Sequence, residues 1–370
     1  MILLYHYFMK EYKIHEIENK RILGRNSYDN SKGELALFWG GAALEVNVKA
    51  REVWACISAD YDNLEIWLCV EINGAQISRF ILEKGKKWYC LARNLNPEKE
   101  NLVTIIKETQ PLNEDTRHSL VIHEMGLDDQ GLFLPIQERK LSIEFIGDSV
   151  TAGEGLKGAP DEMDWIPSWM SASTTYAIRV AKKMNADWNT MGKSGWGICW
   201  GWDYNQESKI PPHYENVCSV LKDPDSLALG AQDKWTFNSG KGSDYVVINL
   251  GTNDESGMRA AEDKRGLAEK VISAVKDFLT VIRSHNPNAI ILWVWGMLKL
   301  EMVPDLIKKG VDEYKAVSGD KKVFTLELES LDDLEKTEEE KGSRCHPGSK
   351  THETAAVKIV DFLCKLNGGK

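Results

Sequence analysis

Between about residues 33 and 140, apolar positions alternate with polar ones or gather in short β-branched runs. The runs fall at 35–39, 43–48, 53–58, 65–72, 77–82, 88–92, 102–108 and 118–125. Turn residues separate them: Asp62-Asn63, Asn73-Gly74, Lys84-Gly85 and the polar stretch 94–101. Short strands recurring at intervals of about 8–12 residues predict a β-sandwich of jelly-roll-like type. Residues 1–32 fit neither a strand nor a helix period and are taken as an irregular N-terminal segment. Beyond residue 138 the pattern changes. Buried strand-like runs at 141–146, 245–250, 289–295 and 322–326 alternate with helical periods at 174–183, 267–284 and 351–366. That alternation predicts an α/β domain with a doubly wound parallel sheet over 139–370, preceded by the β-sandwich of 33–138.

Composition narrows the function classes. The net charge is −10, from 46 basic and 56 acidic residues, and no long basic run occurs, so nucleic acid is not an expected partner. The acidic stretch 335–341 reads as a solvated loop or helix end. The seven cysteines lack the paired spacing of a zinc site or a disulfide framework. Reduced thiols suit a cytoplasmic protein. The first twenty residues do not read as a signal peptide, and no window approaches the roughly 20 apolar residues of a membrane span. Thirteen tryptophans are many for this length and are compatible with stacking on sugar rings.

Four short segments carry the candidate chemistry. In Gly147-Asp148-Ser149, a buried strand delivers a serine to the carboxyl end of the sheet, where open α/β sheets place their ligands. In Gly192-Lys193-Ser194-Gly195, Gly195 can present its backbone N–H to a developing oxyanion. A phosphate-loop reading of the same segment fails because position 187 is Asp where Gly is needed. In Gly251-Thr252-Asn253-Asp254, the Asn253 carboxamide is an uncharged donor suited to the same oxyanion. Before the last helix comes Cys345-His346-Pro347, where His346 can take the serine proton and return it to a leaving alcohol. Asp148 is read as a supporting group that bonds loop amides. His352 is read as a packing or capping residue.

Taken in order, GDS, Gly195, GTND and His-Pro resemble the four blocks of the SGNH/GDSL hydrolases over roughly residues 141–366. The resemblance implies Ser149 as nucleophile, His346 as base, and an oxyanion hole of the Ser149 N–H, the Gly195 N–H and the Asn253 side chain. A β-rich domain ahead of such a domain is similar to carbohydrate esterase family 2, whose members deacetylate plant polysaccharides. One departure stands out. The positions two and three before the histidine, acidic in many relatives, are Arg344 and Ser343 here. Either a backbone carbonyl or a distant carboxylate then orients His346, with the carbonyl preferred.

The expected reaction is removal of acetyl groups from acetylated mono- or oligosaccharides through an acyl-enzyme, with no metal or organic cofactor. Trp196, Trp200 and Trp295 are the candidate substrate contacts, each with core packing as the alternative. Two other readings stay open: a lipase or thioesterase for longer chains, and a sugar-binding protein that has lost catalysis. The choice between hydrolase and acyltransferase is undecided, and homo-oligomer formation is also left open.

Overall fold

Two antiparallel sheets enclose the apolar layer of the N-terminal part. The computed structural model describes residues 9–29, 31–115, 117–331, 338–366 and 368. One sheet runs in the order Asn26–Asp29, Glu34–Leu37, Ser119–Asp128, Glu52–Asp60, Gly85–Arg93, with Met9–Lys13 also paired to Ser119–Asp128. The other runs Leu132–Leu134, Ala43–Lys49, Asn101–Lys107, Trp67–Ile72, Ala75–Ile81, with Lys20–Leu23 also paired to Ala43–Lys49. Alternation explains the architecture. In Glu52–Asp60, Val53, Ala55, Ile57 and Ala59 point inward and join Leu44, Val46, Val48, Leu68, Val70, Val103 and Ile105 in one buried cluster. Each Val, Leu or Ile side chain among them contributes about 1.5–3 kcal/mol by leaving water.

All eight runs of the alternating pattern are strands here. Of the segment 1–32 read as irregular, residues 1–8 and 30 lie outside the described residues, and the rest is not irregular: Met9–Lys13, Lys20–Leu23 and Asn26–Asp29 complete the two sheets. Their sequences, MKEYK, KRIL and NSYD, are short and polar, as suits edge strands, and so lack the buried alternation that marks an inner strand. By spatial grouping, this unit includes residues up to Glu138 together with the distant segment Asn216–Asp233. Trp39, fully buried, donates from Nε1 to the Val217 carbonyl at 2.8 Å, and Arg25 donates to the Asn216 carbonyl at 2.7 Å.

The second unit, Arg139–Glu215 with Lys234 onward, is built on a five-stranded parallel sheet. Its strand order is Ala186–Gly192, Leu141–Gly147, Tyr245–Asn249, Ile290–Trp295, Val323–Glu327. The first crossover moves one way from Leu141–Gly147 and all later ones move the other way. The order therefore reverses between Leu141–Gly147 and Tyr245–Asn249, and the crevice beyond their carboxyl ends is where such sheets bind ligands. Crossovers between parallel strands are right-handed as a rule, which in such a sheet puts helices on both faces. Tyr176–Lys183 packs with the last helix, Ser349–Leu366, and Leu267–His285 packs with Val303–Ser318. In Leu267–His285 the buried residues Leu267, Val271, Val275, Phe278 and Ile282 recur at the helical period.

Three of the longer elements of this unit were not legible in the periodicity. Ala186–Gly192 (ADWNTMG) lacks a β-branched run. Thr252–Ala260 is polar and opens at the Gly-Thr-Asn-Asp segment. Val303–Ser318 contains Pro304 and Gly310. Pro304 stands in the first turn, where its missing N–H costs nothing. Gly310 lies where a Cβ would come within 2.8 Å of Val275, so the close approach of the two helices requires it. Of the acidic stretch 335–341, residues 335–337 lie outside the described residues. Glu340 is buried and holds Lys350 Nζ at 2.8 Å, so it is not a solvated charge. All seven cysteines are free thiols. Among the described residues no helix is long and apolar enough to cross a membrane.

Candidate active site

The two strands at the reversal point end in Gly147 and Asn249, which are register partners, and Gly147 also pairs with Gly192 of the edge strand. Gly147 has room for no side chain, because a Cβ would press on Thr151 and on the Asn249 carbonyl. The chain then turns into a single helical turn, Ser149–Ala152, capped by Asp148, whose Oδ1 accepts from the Val150 N–H at 3.0 Å. The turn closes on Gly153 at φ 83°, a left-handed conformation that glycine adopts at little cost. Ser149 therefore starts a helix at the mouth of the crevice, with its N–H in the N-terminal turn.

His346 reaches the same point from the loop before the last helix. Its Nε2 lies 2.8 Å from Ser149 Oγ, and its Nδ1 lies 2.9 Å from the Arg344 carbonyl. With Nδ1–H donating to that carbonyl, Nε2 is free to accept the serine proton. Of the two orienting groups left open in the sequence, the one bonded to Nδ1 is the backbone carbonyl. The loop that aims it is tightly constrained. Arg344 and Cys345 both have left-handed backbone, at φ 55° and 58°. Non-glycine residues hold that conformation at a cost of about 1–3 kcal/mol each. The Arg344 N–H donates to the Glu162 carbonyl at 2.7 Å and its Nη1 to the Met163 carbonyl at 2.6 Å. Gly155 permits the approach, since a Cβ there would collide with the Ser343 carbonyl and crowd His346.

The remaining predicted residues gather at the carboxyl ends of the same strands. Asn253 is buried at the start of Thr252–Ala260. Its Nδ2 donates to the Trp196 carbonyl at 2.9 Å and makes a longer contact of 3.5 Å with Asp148 Oδ2. Gly195, immediately before Trp196, has φ 78°. The next residue of the motif, Asp254, was not singled out in the sequence. Its carboxylate accepts from the Ile198 N–H at 2.9 Å and the Cys199 N–H at 2.8 Å, tying the Gly195 loop to the helix that carries Asn253. Glu255 accepts from the N–H groups of Glu301, Met302 and Val303 and so anchors the start of Val303–Ser318.

Burial pushes the Asp148 carboxyl up to about 7 and that of Asp254 to about 6. A folded-state pKa above the unfolded value means the native protein keeps a proton that the unfolded chain has lost. The stabilising contribution is present at low pH and fades as pH rises toward 7. Asp148→Asn removes this dependence. Melting curves at pH 5 and pH 8 are expected to show the variant gaining on the wild type by several degrees at the higher pH. A gap independent of pH would contradict the assignment.

The tryptophans separate by exposure. Trp200 is 2% exposed; its Nε1 donates to the Asp254 carbonyl at 2.9 Å, and its ring lies against Gly257. Trp295, at the end of its strand, is 3% exposed. Both are packed within the unit. Trp196 is half-buried beside His213, with ring centroids 5.1 Å apart. Trp202, which the sequence did not separate from its neighbours, is 63% exposed. Its N–H donates to the Gly195 carbonyl at 3.1 Å, and its ring lies close enough to Gly195 to meet a Cβ added there at 3.1 Å. His352 is fully buried; Nδ1 accepts from the Tyr176 N–H at 2.9 Å, and burial, with Arg179 and His346 nearby, pushes it down to about 3. It is a neutral packing residue. One acidic residue near the histidine was also missed in the sequence: Glu154, buried, with Oε2 3.9 Å from His346 Nε2.

A hydroxyl within hydrogen-bond reach of an imidazole can attack an acyl carbon, and backbone N–H groups with a carboxamide can stabilise the oxyanion that forms. Similarity to known proteins agrees with that chemistry. Over 98% of its length the chain superposes on 99% of an acetyl xylan esterase, Est2A, from the rumen bacterium Butyrivibrio proteoclasticus, with a TM-score of 0.91 and 36% identity. It also superposes on a family two carbohydrate esterase from Clostridium thermocellum in complex with cellohexaose, covering 95% of this chain and 100% of that one, with a TM-score of 0.78 and 23% identity. Cellulase/esterase CelE of Acetivibrio thermocellus is 26% identical over an alignment of 346 residues that covers 91% of this chain and 38% of that protein's length. Residues 145–353, more than half of the chain and all four motif segments among them, match the GDSL-like lipase/acylhydrolase model, and the chain belongs to that family.

Proposed function

We infer that this protein is a serine esterase that removes acetyl groups from acetylated carbohydrates, short oligosaccharides foremost. The 2.8 Å approach of Ser149 Oγ to His346 Nε2 carries the reading, in a family member 36% identical to an acetyl xylan esterase. Ser149 attacks the ester carbonyl while His346 takes its proton. The Ser149 and Gly195 N–H groups with the Asn253 amide receive the oxyanion, and His346 protonates the departing sugar hydroxyl. In the second half, water deprotonated by His346 releases acetate. A carbonyl partner on Nδ1 stabilises the imidazolium less than a carboxylate would, which suits an ester with a good leaving group better than an amide. The seven free thiols support a reducing, intracellular setting, where imported acetylated oligosaccharides rather than polymers would be the substrates.

The exposed Trp202 ring beside Gly195 supplies a surface for a pyranose next to the reacting ester, and the half-buried Trp196 borders the same loop. Trp202→Ala is expected to raise KM for acetylated xylo-oligosaccharides by about tenfold, the worth of one stacking contact of roughly 1.4 kcal/mol. KM for p-nitrophenyl acetate should stay within twofold. Equal losses on both substrates would argue against a sugar platform. The reading as a whole is tested by acetyl, butyryl and octanoyl esters assayed beside acetylated xylo- and manno-oligosaccharides. Preference for acetyl and for the sugars supports it, whereas fastest turnover of the octanoyl ester would make the protein a longer-chain acylhydrolase.

A further inference from the structure

Among the described residues, the carboxylate that pairs with His346 does not sit where a triad acid would. Glu154 follows the one-turn helix that carries Ser149, and its N–H donates to the Ser149 carbonyl at 3.0 Å. Its two oxygens face different partners. Oε1 accepts from Arg344 Nε at 2.8 Å, and Oε2 stands 3.9 Å from His346 Nε2, on the serine side of the ring. The Nδ1 side, where a triad acid would act, is taken by the Arg344 carbonyl.

We propose that Glu154 is the acid of this site, acting as a positioning residue that stabilises the His346 imidazolium from the Nε2 side while its other oxygen fixes the arginine whose carbonyl orients the ring. This rests on the esterase reading above. When Ser149 is attacking, the proton it gives up lies on Nε2, the nitrogen closest to Oε2, so the carboxylate opposes the charge where it appears. The pair Glu154–Arg344 then works as one device. The ion pair holds the left-handed turn at residues 344–345, and the Arg344 charge is neutralised before it can disfavour a protonated histidine beside it. Burial alone would raise the Glu154 carboxyl, but His346, the Ser194 hydroxyl and Arg344 outweigh it and hold it below the usual carboxylate range. It is therefore ionised whenever His346 must act as a base.

Among the described residues, few titratable groups face His346. His352, on the last helix, is neutral across the assay range. Asp148 faces Glu154, whose charge helps hold its carboxyl up to about 7, so in Glu154→Gln it ionises more readily and offsets part of the shift, whereas Arg344→Gln and Glu154→Asp keep that neighbour. The two remaining charges, Glu154 and Arg344, have opposite signs and predict opposite shifts. The acidic limb of kcat/KM reports loss of the free base to protonation. In Glu154→Gln the imidazolium loses its counter-charge, so the limb should move to lower pH by about one unit, with kcat reduced about 10- to 100-fold. In Arg344→Gln the carboxylate loses its competitor, and the limb should move to higher pH. Glu154→Asp, which keeps the charge, should recover most of the wild-type limb.

Profiles for p-nitrophenyl acetate between pH 4.5 and 9, with melting temperatures for each variant, decide the matter. Shifts of opposite sign establish the role. An unmoved limb in Glu154→Gln, or shifts of the same sign in both variants, overturns it. Should Glu154→Gln fail to fold, the alkaline shift in Arg344→Gln still supports the proposal and its absence still contradicts it. Failure here is separable from failure of the esterase reading, which would appear as full activity in Ser149→Ala.

Discussion

Ser149→Ala is expected to lower kcat for acetyl esters by about 10⁵- to 10⁶-fold while leaving the melting temperature nearly unchanged. The size follows from what the hydroxyl does in the proposed mechanism: without it no acyl-enzyme forms, and only the oxyanion donors and substrate binding remain to assist direct attack by water. The small effect on stability follows from its surroundings. Ser149 Oγ bonds His346 at 2.8 Å, and His346 keeps its other bond, to the Arg344 carbonyl, in the variant. His346→Ala should cost nearly as much, and the double variant little more than either single one, because the two groups act as a unit. Initial rates for p-nitrophenyl acetate, with acetate release measured on an acetylated xylo-oligosaccharide, check all three. Independent, multiplicative losses would show that the two side chains do not share a proton.

The second large effect is expected at Asn253. Its Nδ2 is buried and bonded to the Trp196 carbonyl, with only a 3.5 Å contact to Asp148 holding it on the other side. One amide hydrogen is thus committed to the loop that carries Gly195, and the other is weakly held in the ground state. Asn253→Ala should lower kcat by about 10²- to 10³-fold, the usual cost of one oxyanion donor, with KM changed little because the charge exists only in the transition state. Asn253→Asp should be worse than alanine. It would add a third carboxyl to the buried carboxyls of Asp148 and Asp254, and it would offer the oxyanion an acceptor in place of a donor. A loss confined to KM would instead make Asn253 a ground-state binding group.

How much of this was legible in the sequence varies by element. The inner strands of the sandwich and the buried strands of the parallel sheet were readable, because burial on one or both faces forces alternation or continuous apolar runs, as in Glu52–Asp60 and Tyr245–Asn249. The edge strands Met9–Lys13 and Asn26–Asp29 were not, since half-exposed strands carry polar residues. Nor was the inclusion of Asn216–Asp233 with the first unit legible. It depends on single long-range bonds, such as Trp39 to the Val217 carbonyl, that leave no period in the chain.

At the site, Ser149, Gly195 and Asn253 were visible because each follows closely on a strand of the parallel sheet, and His346 because it stands just before the last helix. Glu154 and Asp254 escaped for a different reason. Their neighbours are fixed by loop geometry across 190 residues in the case of Glu154 and Arg344, and no spacing rule announces such a pair. Trp202 escaped because its exposure, rather than its identity, sets it apart from Trp200. The signal for Glu154 was nevertheless present. With Arg344 in place of the usual acid, a buried counter-charge for that arginine near Ser149 was the group to look for.

The central claim is that the hydroxyl at 149 is made nucleophilic by the imidazole at 346. Labelling with a fluorophosphonate, followed by mass mapping of the modified peptide, measures that activation directly. One adduct per chain is expected, on Ser149, formed rapidly in the wild type and lost in His346→Ala. An adduct on another residue, or ester turnover that persists with Ser149 unlabelled, would contradict it.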